Sequence, residues 1–520
     1  MNFNKKLAAA VSSAVLLMAG QIALADSTTD IVDALVSKGV LTEEEGRLIT
    51  KGHVSKQEKT PKVTEKDGAF KLESANGNNS IQLTGRVHFD ARAIEGRGGV
   101  QNATNDPDRD SASLADNFEL RRARIGVKGT FLKNYDYEIL TNLVGSSSNL
   151  VDVAYVNAGL INLEKSKPLQ LRAGIFKQPF NLEEYGTSSN NIDFMERSYV
   201  NQISPAKKGG FMAHGVLENG ITFAGSVYQQ NTFGETDNDS NGKGFAGRAT
   251  TNLSQFVSSK ETVFHLGVAG FDSEYGVIPT SSSNGSSSAL TGIETNGTVF
   301  SFRSEGRGLS NIYRAQIGGD SVNAGASMPS NRAAKINNRA YGLELAAAYG
   351  PFKIQGEYTN QDFNASHAAG RSVNAEVQAG YIEAMYMLTG ENYADWYKNG
   401  AWGGIKPKNE VNPDTFKGLG AWEVGFRYDA FDVKDVSVSG TGSRIGGSVA
   451  SGSQNATSGD LAGGAQTYTA GIKWQLNPNM RVLANYSHTK FDYAFSPVDL
   501  SSATKINKED ILMVRTQFNF

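Results

Sequence analysis

Arginine recurs in this chain at positions that a β-strand would turn to one side. Arg86 shares its parity with Gln82, Thr84, His88 and Asp90. Arg122, Arg124 and Lys128 share another, opposite Ala123, Ile125 and Val127, while Arg121 breaks the alternation. A guanidinium stays charged and grips oxyanions through paired N–H groups. Rings of Arg or Lys along a water path are a general device for selecting anions. The break at Arg121 implies a bulge or a position outside an alternating band. Other chemistries find little footing. The six histidines, His53, His88, His214, His265, His367 and His488, sit in no nucleophile motif and at no metal-ligand spacing. Cysteine is absent, which removes thiolate metal sites and a disulfide framework. No enzymatic activity, cofactor or metal is expected. His88 beside Asp90 reads as a polar pair.

The elements that must carry these arginines alternate with a period of two. At the carboxy terminus Leu512, Val514, Thr516, Phe518 and Phe520 fall on one face, and Arg515, Gln517 and Asn519 on the other. Ile81, Leu83, Val87, Phe89 and Ala91 alternate with Gln82, Thr84, Arg86, His88, Asp90 and Arg92. Phe352, Ile354 and Tyr358 oppose Lys353, Gln355 and Glu357. Trp422, Val424, Phe426 and Tyr428 oppose Glu423, Arg427 and Asp429, and Tyr468, Ile472 and Trp474 oppose Thr469, Lys473 and Gln475. Aromatic residues near strand ends suit membrane interfaces. Tight turns at Lys133-Asn134, Glu218-Asn219-Gly220, Gly350-Pro351 and Asn477-Pro478-Asn479 interleave with long polar stretches at 95–114, 272–297, 389–416 and 437–465. Short turns at one end and long loops at the other mark a transmembrane antiparallel β-barrel. Roughly sixteen to eighteen strands can be marked, and a barrel of that size is expected to keep a water-filled lumen.

The amino terminus differs. Lys5 and Lys6 precede an apolar run, and Ala23-Leu24-Ala25 closes it, so residues 1–25 read as a secretory signal cleaved after Ala25. Its removal takes the net charge from −3 to −5, because two lysines and no acids are lost. That balance offers no case for nucleic-acid binding. Residues 26–68 read as a helical periplasmic extension and linker. Gly39 is a plausible C-cap, and Thr42 with Glu45 a capping box. Residues 69–520 read as the barrel. An envelope tether through 26–68 is an alternative role.

Six stretches carry a family resemblance: ELRRARIGVKG (119–129), FKQPFNLEEYGTSSNNIDFMERS (176–198), YMLTGENY (386–393), LGAWEVGFRYDAFD (419–432), YTAGIKWQLNPNMRVLANYSH (468–488) and VRTQFNF (514–520). The chain resembles the phosphate- and polyphosphate-selective porins of bacterial outer membranes. The resemblance implies a multi-pass sixteen-stranded barrel in outer-membrane lipid, a homotrimer, and a third loop, about 177–208, folded into each pore. It implies passive passage of small inorganic or organic anions, phosphate-like oxyanions first. Broader or non-phosphate selectivity in the same fold is the alternative. It makes Arg86, Arg121, Arg122 and Arg124 pore-wall contacts and Asp152 the pore-wall acid. Ser188, Ser189 and Arg197 become constriction residues, and Arg248, Arg303, Arg307 and Arg314 a second basic track. The chain departs from the pattern at Glu184 and Asn190, where lysines are expected, and at Glu305, two residues after Arg303. The interval 177–208 is locally neutral, Lys177, Arg197, Lys207 and Lys208 balancing Glu183, Glu184, Asp193 and Glu196. A weakened oxyanion well is therefore expected.

Overall fold

The computed structural model describes residues 32, 35–49, 60–66, 68–97, 111–113, 116–144, 150–161, 167–217, 220–229, 242–257, 259–275, 298–308, 312–316, 335–367, 371–439, 444–446, 463–495 and 506–520. The expected leader, 1–25, lies outside them. Contacts divide the chain into two compact units, residues 1–83 with 127–137 and residues 84–126 with 138–520.

In the first unit, helical residues 35–37 end at Gly39, whose φ of 70° suits a residue without a Cβ. The next helical turn, 43–49, opens on a reciprocal capping box. Thr42 N donates to Glu45 Oε2 at 2.9 Å, and Glu45 N donates to Thr42 Oγ1 at 3.2 Å. A hairpin, Lys62–Lys66 with Ala69–Glu73, follows.

The period-two segments form sixteen antiparallel strands closed into a barrel. They are β1 (Ser80–Arg97), β2 (Asn117–Phe131), β3 (Tyr135–Asn142), β4 (Val151–Ile161), β5 (Lys167–Lys177), β6 (Lys207–Val216), β7 (Thr222–Gln229) and β8 (Lys243–Asn252). Then come β9 (Thr262–Tyr275), β10 (Lys335–Tyr349), β11 (Phe352–His367), β12 (Arg371–Met387), β13 (Ala421–Ser439), β14 (Gly463–Asn477), β15 (Met480–Phe495) and β16 (Ile506–Asn519). Closure is made by β16 on β1, from Asn519↔Arg86 to Lys508↔Arg97. The faces follow the sequence pattern: Leu512, Val514 and Phe518 are exposed outward, while Arg515 and Gln517 are fully buried inward. Phe520 clasps the seam, donating its N–H to Gly85 O at 3.1 Å and accepting from Gly85 N at 2.9 Å. Its ring lies so close that a Cβ on Gly85 would meet Phe520 Cζ at 2.3 Å.

Two features depart from the sequence reading. Segment 388–420, expected among the long loops, lies at the end of the short turns. Tyr393 N donates to Gly350 O, Met387 N to Pro351 O and Val411 N to Leu476 O. Strand parity requires this, because the segment joins the descending β12 to the ascending β13. It ends in a hairpin, Tyr397–Lys398 with Ala401–Trp402, whose tip residues Asn399 and Gly400 have φ of 52° and 70°. The tip enters the barrel far enough that Gly400 O accepts from Arg248 Nη2 at 2.9 Å.

In addition, several segments fold into the lumen. Residues 178–206, the segments Thr298–Phe302 and Tyr313–Gln316, and the 388–420 hairpin pack onto the inner wall. A hydrophobic cluster forms there, with Phe302 stacked on Phe431 at 4.2 Å and Tyr199 edge-on to Phe431 at 4.9 Å. Interior-facing Ile511 and Met513 belong to the same cluster.

Candidate functional site

The loop between β5 and β6 begins with a π-helical turn, Asn181–Gly186, set by Asn181 at φ 70°. The barrel wall receives its backbone through polar side chains. Glu357 accepts from Leu182 N at 2.7 Å and Glu183 N at 2.8 Å. Asn485 accepts from Met195 N at 2.7 Å, and Asp429 from Tyr199 N at 2.8 Å. Three of the loop's four acids point into the wall and find cations. Glu196 pairs with Arg121 at 2.9 Å, Arg92 at 3.0 Å and Arg515 at 2.9 Å. Asp193 pairs with Lys353 and Lys473, and Glu183 with Arg427 at 3.2 Å. Burial opposes ionisation of Asp193 and Glu196. The cations nonetheless hold both carboxyls below the ordinary range, Lys353 and Lys473 acting on the first and Arg121 and Arg515 on the second. Glu183 goes the other way: burial outweighs Arg427 and raises it.

Three of the four cations in 177–208, Lys177, Arg197 and Lys207, point instead into a cavity of about 700 Å³. Arg86, Arg122, Arg124, Arg172, Lys177, Arg197, Lys207 and Arg248 line it, against the carboxylates Glu138, Asp152 and Glu184. The neutrality of 177–208 is therefore a property of the sum and not of either face.

Seven of the nine residues expected at the site come together here: Arg86, Arg122, Arg124, Asp152, Ser188, Ser189 and Arg197. Arg86 Nη1 donates to Ser189 Oγ at 2.7 Å. Arg124 pairs with Asp152 at 2.9 Å, and Asp152 also takes Lys207. Arg122 meets His88 Nδ1 at 3.4 Å. Arg121 is not on the cavity. It does reach inward, to Glu196, so the alternation breaks between Arg121 and Arg122 and both turn inward. Arg303 is exposed and absent from the lining; its backbone holds Gln202, N–H to Oε1 and carbonyl to Nε2, each at 3.0 Å. Glu305 does not oppose Arg303. It is buried on Arg427 at 2.7 Å and accepts from Thr469 Oγ1 at 2.7 Å. The side chain of Arg314 lies outside the described part.

At the two loop positions where lysines are expected, Glu184 and Asn190, the surroundings differ from the weakened anion well anticipated. Glu184 sits between Arg197 at 3.1 Å and Lys177 at 3.6 Å, so its charge is matched. Burial alone would raise its carboxyl, but Arg197 and then Lys177 outweigh this and lower it. Arg197 has its guanidinium fully engaged, with Nε on Glu183 O at 2.9 Å and Nη2 on Thr187 O at 3.0 Å. It therefore shapes the loop as well as charging the cavity. Asn190 O accepts from Gln517 Nε2 at 3.1 Å, which ties the loop to the last strand.

The sequence reading missed Arg172, Glu138 and the hairpin tip, whose Asn399 and Ala401 also line the cavity. Arg172 carried a signal, standing between Leu171 and Ala173 on the polar parity of β5. The tip carried none, because it arrives from another end of the molecule.

A closed sixteen-stranded barrel with an apolar outer face, a polar inner wall and a loop folded across its lumen defines a porin. The chain belongs to the phosphate-selective porin O and P family, whose model matches residues 81–289 and 300–520. It is accordingly a channel protein of the bacterial outer membrane. Porin O of Pseudomonas aeruginosa is 25% identical over 443 residues, 83% of this chain and 87% of that one. Among solved structures, the anion-selective porin from Comamonas acidovorans is 11% identical with a TM-score of 0.43, covering 85% of this chain and 100% of that one. The outer-membrane OmpT of Vibrio cholerae is 10% identical with a TM-score of 0.43, covering 88% and 100%.

Proposed function

We propose that this porin passes small anions by diffusion, phosphate-like oxyanions favoured, with 178–206 as its constriction. One observation carries the reading: the loop turns Glu183, Asp193 and Glu196 into the wall, while eight cations face a cavity that holds only three carboxylates. In a water-filled passage such an excess raises the local concentration of anions and repels cations. Several of those cations are already matched, Arg124 and Lys207 by Asp152, Arg197 and Lys177 by Glu184, and Arg248 by Glu344 at 2.7 Å. The well is therefore shallow, which favours exit as well as entry. The chain works as a homotrimer. The contiguous strands β3 to β8 are only 8 to 11 residues long, against 14 to 19 for β9 to β16. A strand needs roughly 9–11 tilted residues to span the hydrocarbon, so this low wall is suited to protein neighbours.

The test is the reversal potential across a planar bilayer in a potassium chloride gradient, then block of chloride current by added phosphate. Chloride preference with millimolar block is expected. Potassium preference would overturn the reading.

A further inference from the structure

The cavity lining is not purely cationic: beside its arginines and lysines it carries the carboxylate Glu138 and the Tyr155 ring. At one end Arg86 donates to Ser189 Oγ, which leaves that hydroxyl's own proton to give to a ligand. Arg86 Nε and Arg122 Nε are buried without hydrogen-bond partners among the described residues. Neither guanidinium has a carboxylate within ion-pair distance among the described residues. This end suits an oxyanion.

The other end is built from Tyr155, Arg172 and Glu138. The Arg172 guanidinium lies over the Tyr155 ring at 4.0 Å, and Tyr155 Oη donates to Glu138 Oε2 at 2.9 Å. Among the described residues nothing donates to the other carboxylate oxygen, and no cation lies within ion-pair distance of Glu138. An unmatched carboxylate repels an inorganic oxyanion but accepts strongly from a hydroxyl. The Tyr155 ring lies beside this carboxylate on the cavity lining. At about 700 Å³ the cavity is in the range of sites for organic ligands, far beyond one tetrahedral ion.

We propose that the cavity is a two-ended site for a small hydroxylated organic oxyanion, such as a polyol phosphate. The anionic group lies on Arg86, Arg122 and Ser189, and the hydroxyls lie on Glu138 beside the Tyr155 ring. This rests on the anion-pore reading and narrows it to a substrate class.

The experiment compares block of single-channel chloride current by glucose 6-phosphate, inorganic phosphate and glucose, at one pH. In the wild type glucose 6-phosphate should half-block at about one tenth the concentration of inorganic phosphate, the value of one hydrogen bond to a charged acceptor. Glucose alone should not block. Glu138→Ala should erase the preference by weakening glucose 6-phosphate and strengthening inorganic phosphate, with Glu138→Gln intermediate. Arg86→Ala should weaken both anions together. Heat-modifiable mobility and unitary conductance establish that each variant is folded. A chloride-selective channel blocked equally by the two phosphates, or a Glu138→Ala ratio equal to the wild type's, overturns the two-ended site and leaves the anion pore intact. Potassium preference overturns both.

Discussion

Glu184 stands at a position where the family resemblance implies a lysine, and its surroundings decide what a carboxylate there costs. It is locked between Arg197 and Lys177. Removing its charge should leave both cations uncompensated where they stand beside the cavity, worth about 1 kcal/mol or roughly fivefold tighter phosphate block at watery dielectric. Half-blocking concentrations for Glu184→Gln measure this. The same pairing fixes a pH response. The carboxyl titrates below its ordinary value because Arg197 and Lys177 overcome the effect of burial. The charge and its pairs are thus fully present above the ordinary carboxylate pKa of about 4.3 and are lost only as pH falls through the lower folded value. Chloride-to-potassium selectivity should accordingly gain a rise below about pH 4 that Glu184→Gln lacks, the two proteins differing by a constant between pH 7 and 5. Arg197→Ala should do more than weaken block. Three hydrogen-bonding contacts of the loop with itself vanish, so open-channel noise should increase. At this scale the sequence was informative about side-chain direction: Arg86, Arg122 and Arg124 follow strand parity and arrive where parity sends them. Pairing was not legible, because Glu184 and Arg197 meet only through a turn that begins with a left-handed Asn181.

Two elements hold the loop between β5 and β6 and the barrel seam with the same side chains. Asp90 and Arg515 stand directly opposite across β1 and β16 and share two bonds, at 2.6 and 2.7 Å, both side chains fully buried. Arg515 also takes Glu196 of the loop and Met195 O. Asp90→Asn leaves a buried guanidinium short of charge, a loss of about 3–5 kcal/mol where a buried pair is broken one-sidedly. The barrel should unfold at lower temperature on a heat-modifiability gel, and the loop should flicker in the same variant. The double change Asp90→Asn with Arg515→Met should recover part of the stability but none of the quiet conductance. The terminal residue belongs to this element too. Deleting Phe520, or placing valine at Gly85, should lower the yield of folded barrel, and unchanged yield would refute the clasp. The alternation of β16 was readable from its last residues. Less obvious was the run Ile511-Leu512-Met513-Val514, apolar at four consecutive positions. Such a run belongs to a strand buried on both faces, and the inner pair packs under the inward-folded segments.

For the molecule as a whole, antiparallel closure and the outer greasy face follow from period-two patterning, a local property that marks roughly sixteen to eighteen strands; the count of sixteen comes with the family resemblance. What folds into the lumen does not follow from that patterning. Loop length says that a segment is long, and only the parity of the strands before it says which rim it leaves from. Segment 388–420 leaves from the rim of the carboxy terminus and reaches Arg248 with Gly400. A Cβ on Gly400 would lie 2.4 Å from Thr250 Oγ1, so Gly400→Val should push the tip out and raise unitary conductance without changing the sign of selectivity. The seam has a kinetic meaning beyond its strength. Asp90 and Arg515 are 425 residues apart in the chain, so their encounter closes nearly the whole polypeptide and must come late in assembly. Two opposite charges on approaching edges attract over about 10 Å at 0.1 M salt and over much less at 1 M. The last strand should therefore find the first more slowly as salt rises. Refolding into detergent micelles would then show a salt-retarded final phase that the uncharged double variant does not share.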